Sequence, residues 1–231
     1  MIKYVWCEDK GSGYEFWRRF FKIYSPDVVI ESKGNNTELR HAVTRITNSE
    51  DLYYIVVDHA VDNPDVLREL RKIYSEMQKK KKKNIRILKI HSFEFVLLSF
   101  EFLDQWIFSE VDELKEKRKS LLKAKDLFVK MVLSGSEAES VSELRNLLGY
   151  IKQYNTEQIS SKLLFEITRN TGFETDKGHF GECFYIDCCE WKKRKSEDIC
   201  GLDGKRLDTA QKMYQIMEHS VLKKAIEGAG L

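Results

Sequence analysis

One stretch decides the fold of this chain: Leu52-Tyr53-Tyr54-Ile55-Val56-Val57-Asp58. A short, unbroken apolar run is typical of a strand that is buried on both faces, and such strands occur mainly in parallel sheets. Shorter runs rich in β-branched, aromatic and other apolar residues are found at Lys3–Cys7, Val28–Ile30 and Ile85–Ile90. We therefore expect four strands, with the stretch 52–58 in the centre of the sheet.

Helical patterns separate these four runs. Ser12 and Glu15 have the spacing of a capping box before an aromatic helix that ends at Pro26. A second helix is expected after Asn36, and Asn63-Pro64-Asp65 combines an N-cap residue with a proline and an acid suited to a first turn. Alternating strands and helices predict a mainly parallel, four-stranded, Rossmann-like α/β sheet with helices on both faces.

The second half of the chain has a different pattern. We expect an α/β domain over residues 1–108 and a mostly helical C-terminal region over residues 109–231, with a loop-rich, cysteine-containing segment at 172–204. Within that segment, Cys183–Ile186 is interpreted as a strand. One last helix is predicted from Asp208 to Ala225, with Ala210 on its inner face.

Composition excludes several classes of protein. Hydrophobic residues make up 42% of the 231 residues, which is enough for a core and argues against disorder. Lys and Arg number 39 against 37 Asp and Glu, so bulk positive charge cannot drive nucleic-acid binding and any contact must use a local patch. With no signal-peptide pattern and no long apolar run, we expect a cytoplasmic protein without a membrane partner.

Acidic residues follow three of the predicted strands. Glu8 and Asp9 follow the first strand, Asp58 ends the third with Asp62 four residues further on, and Glu94 lies just beyond the end of the fourth. The carboxyl ends of parallel strands meet at one edge, where open α/β sheets bind their ligands. Clustered carboxylates resist joint ionisation unless a cation neutralises them, which predicts Mg²⁺ or Mn²⁺. For any one of these acids the alternative is a helix cap or a solvent-exposed side chain.

These residues carry a resemblance to a known family. Glu8 at the end of a strand, the turn Gly11-Ser12-Gly13, an aromatic helix and the strand Ile55-Val56-Val57-Asp58 together resemble the Toprim pattern over about residues 1–108. Toprim domains occur in topoisomerases, primases, small ribonucleases and nucleases of the overcoming-lysogenization-defect type in phage defence. The resemblance implies that Glu8 is a metal ligand or general acid-base and that Asp58 and Asp62 hold Mg²⁺.

The chain departs from that pattern in two places. The usual Asp-x-Asp is replaced by Asp58-His59-Ala60-Val61-Asp62, and Gly13 and Tyr14 stand where a further acid is usual after the glutamate. Either Asp62 substitutes from a loop of different shape, or the metal site is degenerate.

Two functions remain open at this point. The first is a divalent-metal-dependent nuclease for DNA or RNA, in bacterial anti-phage defence, with Glu8, Asp58 and Asp62 as catalytic ligands. His59 or His91 would then assist as general acid or base. The alternative is a non-catalytic interaction or regulatory module with a degenerate metal site. Asp62 within reach of Glu8 favours the nuclease, whereas Asp62 turned to solvent favours the module.

An ATPase activity is not expected within this chain. The sequence contains no Gly-x4-Gly-Lys-Ser/Thr motif and no complete Gly-x-Gly-x-x-Gly. The resemblance to the defence nucleases implies instead that a separate ATPase is a partner protein, besides nucleic acid.

A second metal site is considered in the C-terminal region. It would use soft ligands for tetrahedral Zn²⁺, namely His179, Cys183, Cys188, Cys189 and Cys200. The alternative is that these thiols are buried packing groups, because no Cys-x2-Cys pair is present. Cys7 lies on a strand and is assigned to the core.

The lysine run at 79–83 is the most basic segment of the chain. It would either neutralise nucleic-acid phosphates or form the solvated end of a helix, where the negative end of the helix dipole stabilises cations.

Overall fold

The structure, a computed structural model, describes residues 1–79, 83–110, 112–135, 154–176, 179–188 and 200–231. Four strands in these ranges form one sheet: β1 Lys3–Cys7, β2 Val28–Ser32, β3 Leu52–Asp58 and β4 Ile85–Ile90. The order across the sheet is β2-β1-β3-β4, and every neighbouring pair is parallel. The predicted α/β class with a four-stranded parallel sheet is confirmed.

Helices surround the sheet. Those in the described ranges are α1 Gly11–Tyr24, α2 Asn36–Arg45, α3 Pro64–Lys79, α4 Phe93–Leu98, α5 Leu103–Ile107, α6 Glu113–Lys117, α7 Lys119–Ser134, α8 Thr156–Thr168, α9 Thr209–Glu218 and α10 Leu222–Ala229. None of the helices found there is long and apolar enough to cross a membrane. The first three connect consecutive parallel strands, as the alternating pattern predicts.

The sheet separates two apolar cores, because successive side chains of a strand point to opposite faces. On one face Ile55 and Val57 pack with residues of α2 and α3. On the other face Tyr54 and Val56 pack with residues of α1 and with the helices of the C-terminal region. Ile55 and Val56 are almost completely buried, so β3 is covered on both sides as its sequence predicts.

The C-terminal helices cover one face of the sheet. Helix α8 packs against α4 and α7, α9 packs against α1, and α10 packs against β4. The buried Arg118 donates from Nη1 to the carbonyl of Ile167 over 2.7 Å, and its second terminal nitrogen donates to the carbonyl of Arg169. These bonds satisfy carbonyl groups at the end of α8 that have no partner within the helix.

The predicted strand at Cys183–Ile186 is wrong. Residues Glu182–Phe184 form a 3₁₀ turn instead. The ammonium of Lys212, which is only 1% exposed, donates to the carbonyls of Cys183 and Ile186 over 2.7 and 2.8 Å. A cation from α9 therefore takes the carbonyl groups that a strand would offer to a neighbour.

The predicted capping box of α1 is also wrong. Helix α1 has Lys10 as its N-cap residue and receives no side-chain cap. The hydroxyl of Ser12 accepts from the backbone of Phe180 over 2.7 Å, and Glu15 forms an ion pair with Arg18. A contact with the C-terminal region, which no local pattern shows, replaces the expected cap.

The predicted last helix from Asp208 to Ala225 is divided into α9 and α10, and Ala210 is exposed rather than inward. The chain turns between them because it bonds to the segment after α4. There the backbone of Val221 donates to the hydroxyl of Ser99, and the carbonyl of His219 accepts from the backbone of Glu101.

The close approach of Gly201 to α5 provides a test of this packing. Its backbone donates to the carbonyl of Trp106 over 2.9 Å, and a Cβ at this position would collide with the carbonyl oxygens of Gln105 and Phe108. We expect Gly201→Ala to lower the free energy of unfolding by about 1–3 kcal/mol. Gly204→Ala is the matched control, because a Cβ there meets nothing, and it should stay within about 0.5 kcal/mol of the wild type. Urea unfolding measures both, and equal values would contradict the packing.

Candidate functional site

The two central strands end side by side. In the register of β1 and β3, Cys7 lies opposite Val56. From β1 the chain continues through α1 to β2, toward one edge of the sheet. From β3 it continues through α3 to β4, toward the opposite edge. Ligands of open parallel sheets bind outside the carboxyl ends at such a change of direction. Glu8 directly follows β1 and Asp58 is the last residue of β3, so both lie at this position.

Five half-buried carboxylates influence one another at this edge, and we name them the acidic cluster: Glu8, Asp9, Asp58, Glu94 and Glu157. Glu8 and Asp58 are brought together as the sequence predicts. Glu94 comes from the first turn of α4, after β4. Glu157 comes from the first turn of α8 and is the member that sequence reasoning missed. The cluster therefore draws on residues from both halves of the chain.

Burial and mutual repulsion raise the pKa values of the two strand-end acids. Burial raises the pKa of Glu8 to about 7, and the charges of Asp9 and Glu157 add to the effect. Hydrogen bonds from the side chain of Asn36 and the backbone of Asp58 act in the opposite direction. Burial also raises the pKa of Asp58 well above its usual range, with repulsion from Glu8 as the next cause. A proton or a cation is therefore favoured at this position.

Two further members of the acidic cluster, Asp9 and Glu94, also have raised pKa values. Burial is the main cause that raises the pKa of Asp9 and of Glu94. The groups that contact the cluster are neutral donors: Trp17 Nε1 donates to Asp9 over 2.8 Å, and Asn63 Nδ2 donates to Glu157 over 3.0 Å. Within the ranges that the structure describes, no Lys or Arg forms an ion pair with any of the five carboxylates. The charge of the ionised cluster is thus not compensated by these residues.

The acidic cluster is a set of neighbouring carboxylates rather than a preformed cage. Among the described residues, no three His, Cys, Asp or Glu side chains are arranged to hold one metal ion. Metal binding would therefore require rotation of side chains from the positions they have in the structure.

Asp62 has a different partner from the one that the sequence predicts. Its Oδ2 accepts from the backbone nitrogen of Thr156 over 2.6 Å and from the hydroxyl of Thr156 over 2.9 Å. Thr156 is the first residue of α8, so Asp62 satisfies a backbone donor at the helix start, where negative charge is also favoured by the dipole. The exposed Asp62 is a capping group in this arrangement and does not stand with Glu8 and Asp58 as expected.

Two histidines, His59 and His91, lie next to the end of β4 at this edge. The backbone of His59 donates to the carbonyl of Ile90 over 2.6 Å, and burial followed by the charge of Lys89 lowers the pKa of His59. Burial lowers the pKa of His91 as well, and its ring lies 4.7 Å from that of Phe95 between centroids. A lowered pKa keeps both rings neutral near pH 7, so that each can accept a proton.

The residues of the predicted zinc site are only partly described, because Cys189 lies outside the described residues. The side chains of Cys183, Cys188 and Cys200 are half-buried, and His179 is exposed. Among the described residues these side chains form no group that could hold a metal ion, and zinc binding stays a prediction. Cys7 is fully buried in the core as predicted, and burial raises the pKa of its thiol to about 12.

Residues 80–82 of the lysine run also lie outside the described residues. The described part of the run begins at the end of α3, and Lys83 is exposed. A phosphate-binding role for this run stays a prediction.

A cleft of about 610 Å³ opens beside the acidic cluster. It is lined by Glu94, Tyr154, Glu157, Gln158, Ser161, Lys162, Phe165 and Asp176. Two of these residues, Glu94 and Glu157, belong to the acidic cluster, so the cleft leads directly to it. In the sequence, Asn155 and Gln158 have the spacing of the capping box that the structure shows. This spacing could have located the start of α8, but not its contact with the loop that follows β3.

The capping role of Asp62 can be tested by stability. Removing the acceptor in Asp62→Ala leaves the backbone nitrogen of Thr156 without its partner, so we expect the free energy of unfolding to fall by about 0.5–2 kcal/mol. Asp62→Asn keeps an oxygen acceptor and should lose less. Urea unfolding of the two variants measures the difference, and an unchanged stability of Asp62→Ala would contradict the capping role.

The raised pKa of Glu8 predicts how stability depends on pH. Between the ordinary value of 4.5 and about 7, the folded chain binds more protons at Glu8 than the unfolded chain does. The contribution of Glu8 therefore lowers the free energy of unfolding as the pH rises through this window. His59 and His91 act in the opposite sense, because their pKa values are lowered. The informative quantity is thus the difference between wild type and Glu8→Gln.

We expect Glu8→Gln to gain stability relative to the wild type between about pH 5 and about pH 8. Thermal melts in EDTA measure the difference in Tm at each pH. The matched control is Glu113→Gln, whose carboxylate is 80% exposed, and its difference from the wild type should stay constant. A difference for Glu8→Gln that shrinks with rising pH would contradict the predicted shift.

Comparisons of the chain with models of protein families, with curated proteins and with solved structures found no match. The resemblance to the Toprim pattern therefore stays a prediction from the sequence, and function must be argued from the site itself.

Proposed function

We propose that this chain is a divalent-metal-dependent nuclease that cleaves phosphodiester bonds at the acidic cluster. The observation that carries the proposal is the meeting of Glu8 and Asp58 at the ends of adjacent central strands, with three further carboxylates around them. This is the position at which an open parallel sheet binds its ligand.

The chemistry of the donor set supports a hard divalent cation. Carboxylate oxygens are the ligands that Mg²⁺ and Mn²⁺ prefer, and the neighbours of the acidic cluster in the described part of the chain are neutral donors. Burial and, after it, repulsion between carboxylates raise the pKa values of Glu8 and Asp58, and a cation would relieve the repulsion. The proposal requires Glu8, Asp58 and Glu94 to rotate toward one ion, since no three side chains among the described residues converge as they stand.

A bound Mg²⁺ or Mn²⁺ would polarise the phosphoryl oxygen and lower the pKa of a coordinated water. The residues of the chain supply the remaining functions. In the metal-free cluster Glu8 has a pKa of about 7, and a bound cation would favour its charged form. The side chain of Asn36 and the backbone of Asp58 donate to its carboxylate. His59 offers a proton acceptor on the β4 side of the edge.

One observation favours the second function, a non-catalytic interaction or regulatory module. Asp62, which the resemblance assigns to Mg²⁺, is engaged by Thr156 at the start of α8. The nuclease therefore depends on Glu94 in the place of Asp62. A nucleic-acid substrate is part of the proposal, whereas the separate ATPase partner and the phage-defence setting follow from the resemblance alone.

The decisive variants are Asp58→Asn and Glu8→Gln, which remove charge with little change in shape. We expect each to reduce cleavage of labelled DNA or RNA in Mg²⁺ or Mn²⁺ by at least about 100-fold. Asp62→Asn, which keeps the cap of α8, should retain most of the activity, and Glu113→Gln is the surface control. Cleavage assays are paired with calorimetric titration of Mn²⁺, which tests ion binding without a substrate.

Undiminished cleavage by Asp58→Asn would exclude the acidic cluster as the active site. A wild type that binds no Mn²⁺ and cleaves no DNA or RNA, alone or with the proteins encoded beside it, would favour the interaction module.

A further inference from the structure

The cleft beside the acidic cluster follows one face of α8. Its lining residues Glu157, Ser161 and Phe165 are spaced four apart, which places them on one side of a helix. Phe165 thus lies about 12 Å along the helix axis from Glu157. The cleft begins at the carboxylates and reaches an aromatic ring two turns further on.

The chemistry changes along this face. At the near end Glu94 and Glu157 belong to the acidic cluster, and the exposed Asp176 is a further carboxylate in the lining. Exposed Gln158 and Lys162 follow and can donate hydrogen bonds to an anion. The half-buried ring of Phe165, with Tyr154 also in the lining, supplies an apolar surface. Along the cleft, the carboxylates would bind a metal ion, the lysine would contact a phosphate, and the aromatic rings would stack on bases.

We propose that this cleft binds an unpaired nucleic-acid strand and leads its phosphodiester to the acidic cluster. In this arrangement bases stack on the rings of Phe165 and Tyr154, and a phosphate contacts Lys162. The inference rests on the proposed nuclease function and names its substrate class, since an unpaired strand of either DNA or RNA presents these groups.

Three observations favour an unpaired strand over a double helix. Its volume of about 610 Å³ is that of a small-molecule pocket, which has room for roughly one or two nucleotides. Stacking on an aromatic side chain also requires a free base face, which pairing and stacking within a duplex cover. Duplex binding relies on many phosphate contacts, whereas Lys162 is the only Lys or Arg among the residues that line the described cleft.

The test measures binding without cleavage. All chains carry Asp58→Asn, and fluorescence anisotropy follows short fluorescein-labelled oligo-dT, oligo-U and a duplex in Ca²⁺. We expect Phe165→Ala to weaken binding of the single strands by about 5- to 100-fold. Lys162→Ala should weaken binding and reduce the slope of log K against log salt by about 1. Phe165→Leu keeps an apolar side chain for packing and should still lose most of the stacking.

Matched controls come from exposed positions away from the cleft. Tyr214→Ala removes an aromatic ring that is 61% exposed, and Lys130→Ala removes an exposed cation on α7. Both should bind the single strands like the parent chain. The duplex should bind at least tenfold more weakly than either single strand, and the comparison of oligo-dT with oligo-U distinguishes DNA from RNA.

The outcomes separate this inference from the proposed function. If the wild type cleaves in Mg²⁺ while the Lys162 and Phe165 variants bind single strands normally, the cleft is not the binding site for the strand. The nuclease proposal would be unaffected by that result. Equal or tighter binding of the duplex would also overturn the inference about the cleft, as would a parent chain that binds no single strand. The expected binding pattern in a chain that never cleaves would support the cleft and count against the nuclease.

Discussion

The parallel pairing of β1 with β3 is the constraint on which the rest of the structure depends. Parallel strands end at the same edge of a sheet, so Glu8 and Asp58 must be neighbours once Cys7 lies opposite Val56. The strand β3 cannot shift by one residue to separate them, because Ile55 and Val56 are buried on opposite faces and a shift would exchange those faces. Apolar packing thus holds together two carboxylates that repel each other.

The C-terminal region completes this edge through two side chains of the loop after β3. Asp62 bonds to Thr156, and the adjacent Asn63 donates to Glu157. These contacts hold the start of α8 against the loop that follows β3. Glu157 therefore reaches the acidic cluster, and one face of α8 lines the cleft. Division of the chain near residue 108 would therefore separate residues that meet in the acidic cluster.

The sequence predicts the strands well because their signal is local. Apolar periodicity depends on neighbouring residues, and the end of each strand marks Glu8 and Asp58 without further information. The failures share a different cause. Ser12 bonds to Phe180, and Lys212 bonds to the carbonyls of Cys183 and Ile186, so partners far along the chain replaced the local cap and the local strand. No periodic pattern contains such contacts.

The partner of Asp62 could not be predicted from the local sequence either. The positive end of a helix dipole and a divalent cation attract the same side chain, and a carboxylate near a sheet edge can serve either. Its position after the strand that ends at Asp58 favours the cation, whereas the structure places the backbone donor of Thr156, 94 residues away, within 2.6 Å of its oxygen. Which role an acid takes is thus decided by the element that packs beside it. Here α8 engages Asp62 and contributes Glu157 to the acidic cluster.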